Sequence, residues 1–196
     1  HDNAALRGIN AADGKQLWEL PGSSETALPM LQPHRVAASN QLAVSMEPGA
    51  ALLNIKREND RWSVTPEWET NRFRPGFNDF VIHKGHLYGL DDGILCAFDL
   101  ASGERLWKKG RLGHGQILVL ADQDLLVVST NRGAIAMVKA SPKGYEELGR
   151  FEAIEGKTWN GPVLVENRIF LRNGEEIAAY EVSMEQATSQ LTTGCN

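Results

Sequence analysis

Four times along this chain an apolar stretch, a short polar turn and a second apolar stretch follow one another, at residues 36–45, 80–89, 117–128 and 163–171. The first apolar residue after each turn is Leu42, Leu87, Leu125 and Ile169, giving steps of 45, 38 and 44 residues. A repeat with a period of roughly 20–50 residues overrides any local reading, because each unit is too small to bury its own apolar faces and must stack on its neighbours. Almost no helical periodicity accompanies it. Each hairpin is followed by a third apolar stretch (residues 50–55, 94–100, 134–138 and 177–182) and then, after a turn, by a short strand carrying an aromatic. The aromatic series is Trp18, Trp68, Trp107 and Phe151, in steps of 50, 39 and 44 residues.

Residues 9–18 and 98–107 are the clearest copies of that last turn and strand, and their registers match residue for residue. Gly14 and Gly103 occupy the place where the turn ends in a left-handed residue, a conformation glycine adopts at little cost. A four-stranded unit of roughly 40–45 residues is the size of a β-propeller blade. The predicted fold is therefore all-β, with about four four-stranded antiparallel blades. The aromatic on each outer strand is expected to pack into the gap beside the next blade, which makes Trp18, Trp68, Trp107 and Phe151 structural residues rather than ligand-stacking ones.

Composition narrows the function. Twenty Lys and Arg against 25 Asp and Glu leave a net charge of -5 in 196 residues, and no basic block marks nucleic acid as a partner. Apolar runs of only a few residues are too short for a membrane span. The two cysteines, Cys96 and Cys195, are too few for a disulfide framework or a zinc site. Cys96 lies in an apolar run and reads as a buried free thiol, whereas Cys195 falls in a polar tail, residues 183–196, that follows the blades of residues 1–182. The chain begins with His1 rather than Met and reads as processed or excised, with any targeting signal outside it.

The pattern Asp-Leu-x-x-Gly-x-x-x-Trp at residues 98–107, with its counterpart at 9–18, resembles the repeat of the pyrroloquinoline-quinone-like (PQQ-like) β-propeller family. The resemblance covers most of residues 5–182; residues 61–68 and 145–151 fit by position alone, having lost the Gly spacing. The stretch 72–182 also resembles bacterial PQQ-binding-like repeat proteins. Such a resemblance implies an extracytoplasmic, periplasmic location. It spans both quinoprotein alcohol dehydrogenases and non-enzymatic outer-membrane assembly lipoproteins, so it speaks for architecture before function. Members usually have seven or eight blades. Residues 5–20 read as the last two strands of one blade and residues 162–182 as three strands of another. Three closures fit: a four-bladed ring closed by the N-terminal strand, half of an eight-bladed ring, or self-association of two copies.

In a propeller, the loops entering the innermost strands surround the central channel. Three of them, at residues 71–78, 111–116 and 157–160, carry polar and aromatic groups at equivalent places; the fourth, at 25–29, is blander. Asn78, His114, Gln116, Trp159 and Asn160, with Arg72, Arg74 and Arg111 nearby, are the candidate ligand-binding residues. The competing role for such Asn, His and Gln side chains is to satisfy the backbone of tight loops and channel water. No catalytic or metal-ligating set emerges. Asp91 with Asp92, and Glu175 with Glu176, read as turn pairs, and His83 and His86, flanking the turn at Lys84 and Gly85, read as solvated. The expected function is a non-catalytic binding or scaffold protein without cofactor, taking a protein or small ligand on its loop face or channel mouth. The alternative is a fragment of a PQQ- and calcium-dependent alcohol or sugar dehydrogenase. That enzyme would need a calcium-binding carboxylate, an Asp base and an adjacent-cysteine ring, and this sequence has no adjacent cysteines. A third possibility is a glycan or polyanion at Arg72, Arg74 and Arg111.

Overall fold

A computed structural model describes residues 5–21, 33–46 and 49–182. The loop at 25–29, the tail 183–196 with Cys195, and His1 lie outside the described residues. Seventeen strands follow one another: β1 (Ala5–Ile9), β2 (Gln16–Pro21), β3 (His34–Arg35), β4 (Gln41–Met46), β5 (Gly49–Glu58), β6 (Arg61–Thr70), β7 (Phe80–His83), β8 (His86–Asp91), β9 (Ile94–Asp99), β10 (Arg105–Arg111), β11 (Gln116–Leu120), β12 (Leu125–Ser129), β13 (Ala134–Lys139), β14 (Glu147–Glu152), β15 (Val163–Val165), β16 (Arg168–Arg172) and β17 (Ile177–Glu181). They form three complete antiparallel blades, β3-β4-β5-β6, β7-β8-β9-β10 and β11-β12-β13-β14, flanked by the pair β1-β2 and the triplet β15-β16-β17. This is the architecture of β-propeller blades. β1 and β2 form a sheet of their own, apart from β15-β16-β17, so the N-terminal strands do not complete the last blade.

Why the middle strands read as unbroken apolar runs is clear from where their side chains go. Successive strand residues face opposite sides, and each middle strand is covered on both. On β5, Ala50 and Leu52 face the second blade while Ala51 and Leu53 face β1-β2. On β12, Leu126 and Val128 join Tyr88 and Leu90 of the second blade, whereas Leu125 and Val127 join Ile169 and Leu171 of the last. The core is thus four layers, one in each gap between successive sheets. At about 25 cal/mol per Å² of apolar surface, these layers are the main source of stability.

Two sets of backbone bonds repeat from blade to blade. On one side, which we call the turn face, a residue of the third strand or just after it bonds the turn between the first two: Ile55 N–H, within β5, to Asn40 O at 2.9 Å, and, beyond their strands, Leu100 to Gly85 at 3.0 Å, Ala140 to Asp124 at 2.7 Å and Val182 to Asn167 at 2.8 Å. On the opposite, entry face, the loop leading into the next blade bonds the turn between strands two and three. Leu112 and Gly113 N–H donate to Gly93 O, and Ala153 and Ile154 N–H donate to Gly133 O.

The outer-strand aromatics dock as their period implies. Trp68 Nε1–H donates to Leu100 O of the next blade at 2.8 Å, and Trp107 Nε1–H donates to Ser141 O at 2.9 Å. Gly103 is needed for the first of these, since a Cβ there would stand 2.5 Å from the Trp68 ring and its φ is +71°. Phe151 has no N–H to donate; it instead meets the Tyr180 ring edge-on at 4.9 Å, and the Tyr180 hydroxyl bonds Ala153 O. Trp18 packs against the layer formed by Leu6, Val44, Ala51 and Leu53.

Two readings of polar residues change. His83 is buried, 7% exposed, and its Nε2 lies 2.5 Å from Asp124 Oδ1, with Lys84 Nζ 2.7 Å from the other oxygen. The neighbouring blade supplies that carboxylate, so His83 is an inter-blade tie and not a solvated turn residue. Only Asp92, with φ of +51°, and Gly93 make the turn after β8. Asp91 is buried there, 2.6 Å from Lys108 Nζ, and accepts Arg74 N–H at 2.9 Å.

Candidate functional site

The entry face is where the sequence candidates fall, and the structure sorts them. The loop of residues 71–79 is pinned by Arg74 N–H to Asp91, by Arg74 O to Asp92 N–H, and by Arg105 to Arg72 O. These anchors place Arg72 and Arg74 beside the second blade's middle and outer strands, with both side chains exposed. Arg111 is the last residue of outer strand β10 and is also exposed. None of the three has a carboxylate partner among the described residues.

Asn78 is wholly buried, with no hydrogen-bond partner for either side-chain polar atom among the described residues. Burial removes it from the surface of the mouth. Gln116 does loop work: Oε1 accepts Asp79 N–H at 3.2 Å and Nε2 donates to Phe77 O at 3.4 Å. That pair of bonds ties the entry loop of the second blade to β11. A further link runs the other way, from Asp79 Oδ1 to His34 Nε2 of the first blade at 2.7 Å. Asn160 contributes its carbonyl to Ser129 Oγ at 3.4 Å.

What the loops do expose is a row of rings from three successive entry loops. Phe77, 56% exposed, lies 5.5 Å from Trp159, 52% exposed, and 6.3 Å from His114. His114 also faces Asp92 at 4.0 Å. Phe77 is held by its own carbonyl bond from Gln116, so an exposed aromatic stands on a fixed backbone. Monomeric surfaces seldom present grouped large apolar side chains without a use for them.

Beside the row, an open cleft of about 540 Å³ is lined by Asn131, Arg132, Gly156, Lys157 and Trp159. Its walls are set firmly. Thr130 Oγ1 accepts the N–H of Arg132 and of Ala134, shaping the turn that carries Arg132. Buried Thr158 donates its N–H to Asn131 O at 3.1 Å, which leaves Lys157 and Trp159 on either side of it facing outward. Farther along, Asn173 Nδ2 donates to Glu155 O at 2.6 Å and Glu155 N–H donates to Glu176 Oε1 at 2.7 Å. Lys157 Nζ stands 3.6 Å from the Trp159 ring centroid, a cation–π contact.

Phe77, Arg132 and Lys157 were not among the residues singled out from sequence. Alternation of antiparallel strands would have found Arg132, because turns between strands two and three share a face with the entry loops. No set of three His, Cys, Asp or Glu side chains suited to a metal occurs among the described residues. Burial pushes the Cys96 thiol up to about 12, with the Asp91 carboxylate adding to the effect, and its Sγ donates to Gly89 O at 3.2 Å. It is a core thiol. No helix among the described residues is long and apolar enough to cross a membrane.

Comparison with known proteins adds a family. The model of the family described as outer membrane protein assembly factor BamB matches residues 1–141. Among solved structures, BamB from Moraxella catarrhalis is 14% identical over 90% of this chain, with a TM-score of 0.46. The computationally designed Ika4 protein is 8% identical over 82% of this chain and all of its own, with a TM-score of 0.51. The present chain covers 66% of the BamB structure, just under two thirds. No curated protein matches it.

Proposed function

Because the chain belongs to the family of the outer membrane protein assembly factor BamB, we propose that it is a non-catalytic scaffold that binds a segment of a protein partner on its entry face, outside the cytoplasm. The observation that carries this reading is the row Phe77, His114 and Trp159, three rings from three blades on backbones fixed by inter-loop bonds. Rigid aromatic side chains give large contact area at low entropic cost and are enriched where proteins bind proteins. Blade packing explains Trp68 and Trp107 fully, whereas nothing within the fold requires Phe77 or Trp159 to be exposed.

A photo-crosslinking amino acid placed at Phe77 in the producing cell tests it. The expected adduct is a component of outer-membrane protein assembly, with none formed from the same group placed at Lys84 on the turn face. An identical adduct pattern from both positions overturns the reading. So does dye reduction with alcohols or sugars after addition of the quinone and calcium, which would favour the dehydrogenase.

A further inference from the structure

The cleft beside the aromatic row has a chemistry of its own. Arg132 and Lys157 both line it, neither has a carboxylate partner among the described residues, and no carboxylate lines it. Glu155 stands two residues before Lys157, and its N–H donates to Glu176 Oε1. Two uncompensated cations on a protein of net charge -5 concentrate positive potential in one small recess. The recess is wide open to solvent, so a single side chain of a partner can enter it without the fold having to open.

We propose that the cleft between Arg132 and Lys157 is an anion subsite that takes an acidic side chain of a bound peptide segment, whose adjacent apolar side chain lies across Phe77 and Trp159. This rests on the entry face being the protein-binding face, and it names the chemistry of the segment. The guanidinium of Arg132 offers a planar fork to a carboxylate. Lys157 is held over the indole at 3.6 Å, so its ammonium is oriented before the partner arrives. Lys157 lies over the Trp159 ring and Phe77 packs tilted at 46° to it. The remaining ring edges and the exposed Phe77 suit a side chain from an extended segment.

The test uses the full chain and two end-capped, dye-labelled peptides, Ser-Phe-Asp-Phe-Ser and its counterpart with Asn for Asp, followed by fluorescence anisotropy. The acidic peptide is expected to bind about tenfold more tightly, the value of one good charge-assisted contact, and its advantage should shrink as ionic strength rises. Arg132→Gln with Lys157→Gln should abolish that advantage, so that the two peptides bind equally. Arg132→Lys should restore part of it. Phe77→Ala should weaken both peptides equally. All three side chains altered are exposed or line the cleft, and far-ultraviolet circular dichroism checks that each variant folds. Equal binding of the two peptides to the unaltered chain overturns the anion subsite and leaves the entry-face reading standing. Failure of the acidic peptide to bind, or preferential binding of a uronate oligosaccharide, overturns it as well; the Phe77 crosslink then judges the face independently.

Discussion

The turn face and the entry face are built from the same repeat and end up with opposite characters. On the turn face, polar groups close on one another: four equivalent backbone bonds, two indole N–H groups bonded to neighbouring blades, and the His83, Asp124 and Lys84 cluster. The entry face is stitched by backbone bonds too, yet it leaves Phe77 and Trp159 more than half exposed and the cleft's Arg132 and Lys157 without a carboxylate partner among the described residues. Both faces are therefore rigid, and only one is left with unsatisfied surface. Rigidity is a property of the repeat, and the capacity to bind comes from what each loop adds to it.

Substitutions can break this contrast. The largest effect is expected on the turn side: Trp107→Ala should cost about 3 kcal/mol in urea unfolding, because it removes buried ring area and orphans Ser141 O. Gly113→Ala should come next, at about 1–3 kcal/mol, since its φ is +76° and a Cβ there meets Asn131 Oδ1. Asp124→Asn should lower the unfolding midpoint at neutral pH. The bond from His83 and that from Lys84 hold the Asp124 carboxyl below its usual range, so its contribution is complete above the unfolded-state value. It is lost as pH falls through the folded one. The gap between variant and parent should accordingly close in acid; a constant gap would show that the cluster acts by shape alone. The smallest effect on stability belongs to the entry side, where Phe77→Ala should lie within about 0.5 kcal/mol of the parent while losing the crosslinked partner. A large loss of stability from Phe77→Ala would show that the exposed ring serves the fold's own packing.

Much of the fold was legible because it is local. Hairpin spacing gave the strands, and the alternation within Leu125, Leu126, Val127 and Val128 required cover on both sides. Trp68 and Trp107 dock where their period implied. The polar residues were harder, for a physical reason. Whether His83 is solvated depends on Asp124, 41 residues away in the next blade, and Asp91 looked like half of an Asp-Asp-Gly turn until Lys108 was seen against it. Asn78 shares a loop with Phe77, yet one is buried and the other open. Nothing in the local composition separates them; the separation comes from Pro75 O, which accepts the Asn78 N–H and turns the loop.

One element departs from the repeat. β4 stops pairing with β5 at Asn54, while β5 and β6 continue to the turn at Asn59 and Asp60, both of positive φ. The last residues of this ribbon, from Lys56 to Arg61, are exposed and belong to no core layer. Lengthening a loop adds only about 0.6 kcal/mol per doubling, so this tip is where a tag, a fluorophore or a whole inserted domain can be carried. It lies on the turn face and would leave the entry face clear, giving a handle for immobilising the protein with its aromatic row turned towards whatever it is asked to capture.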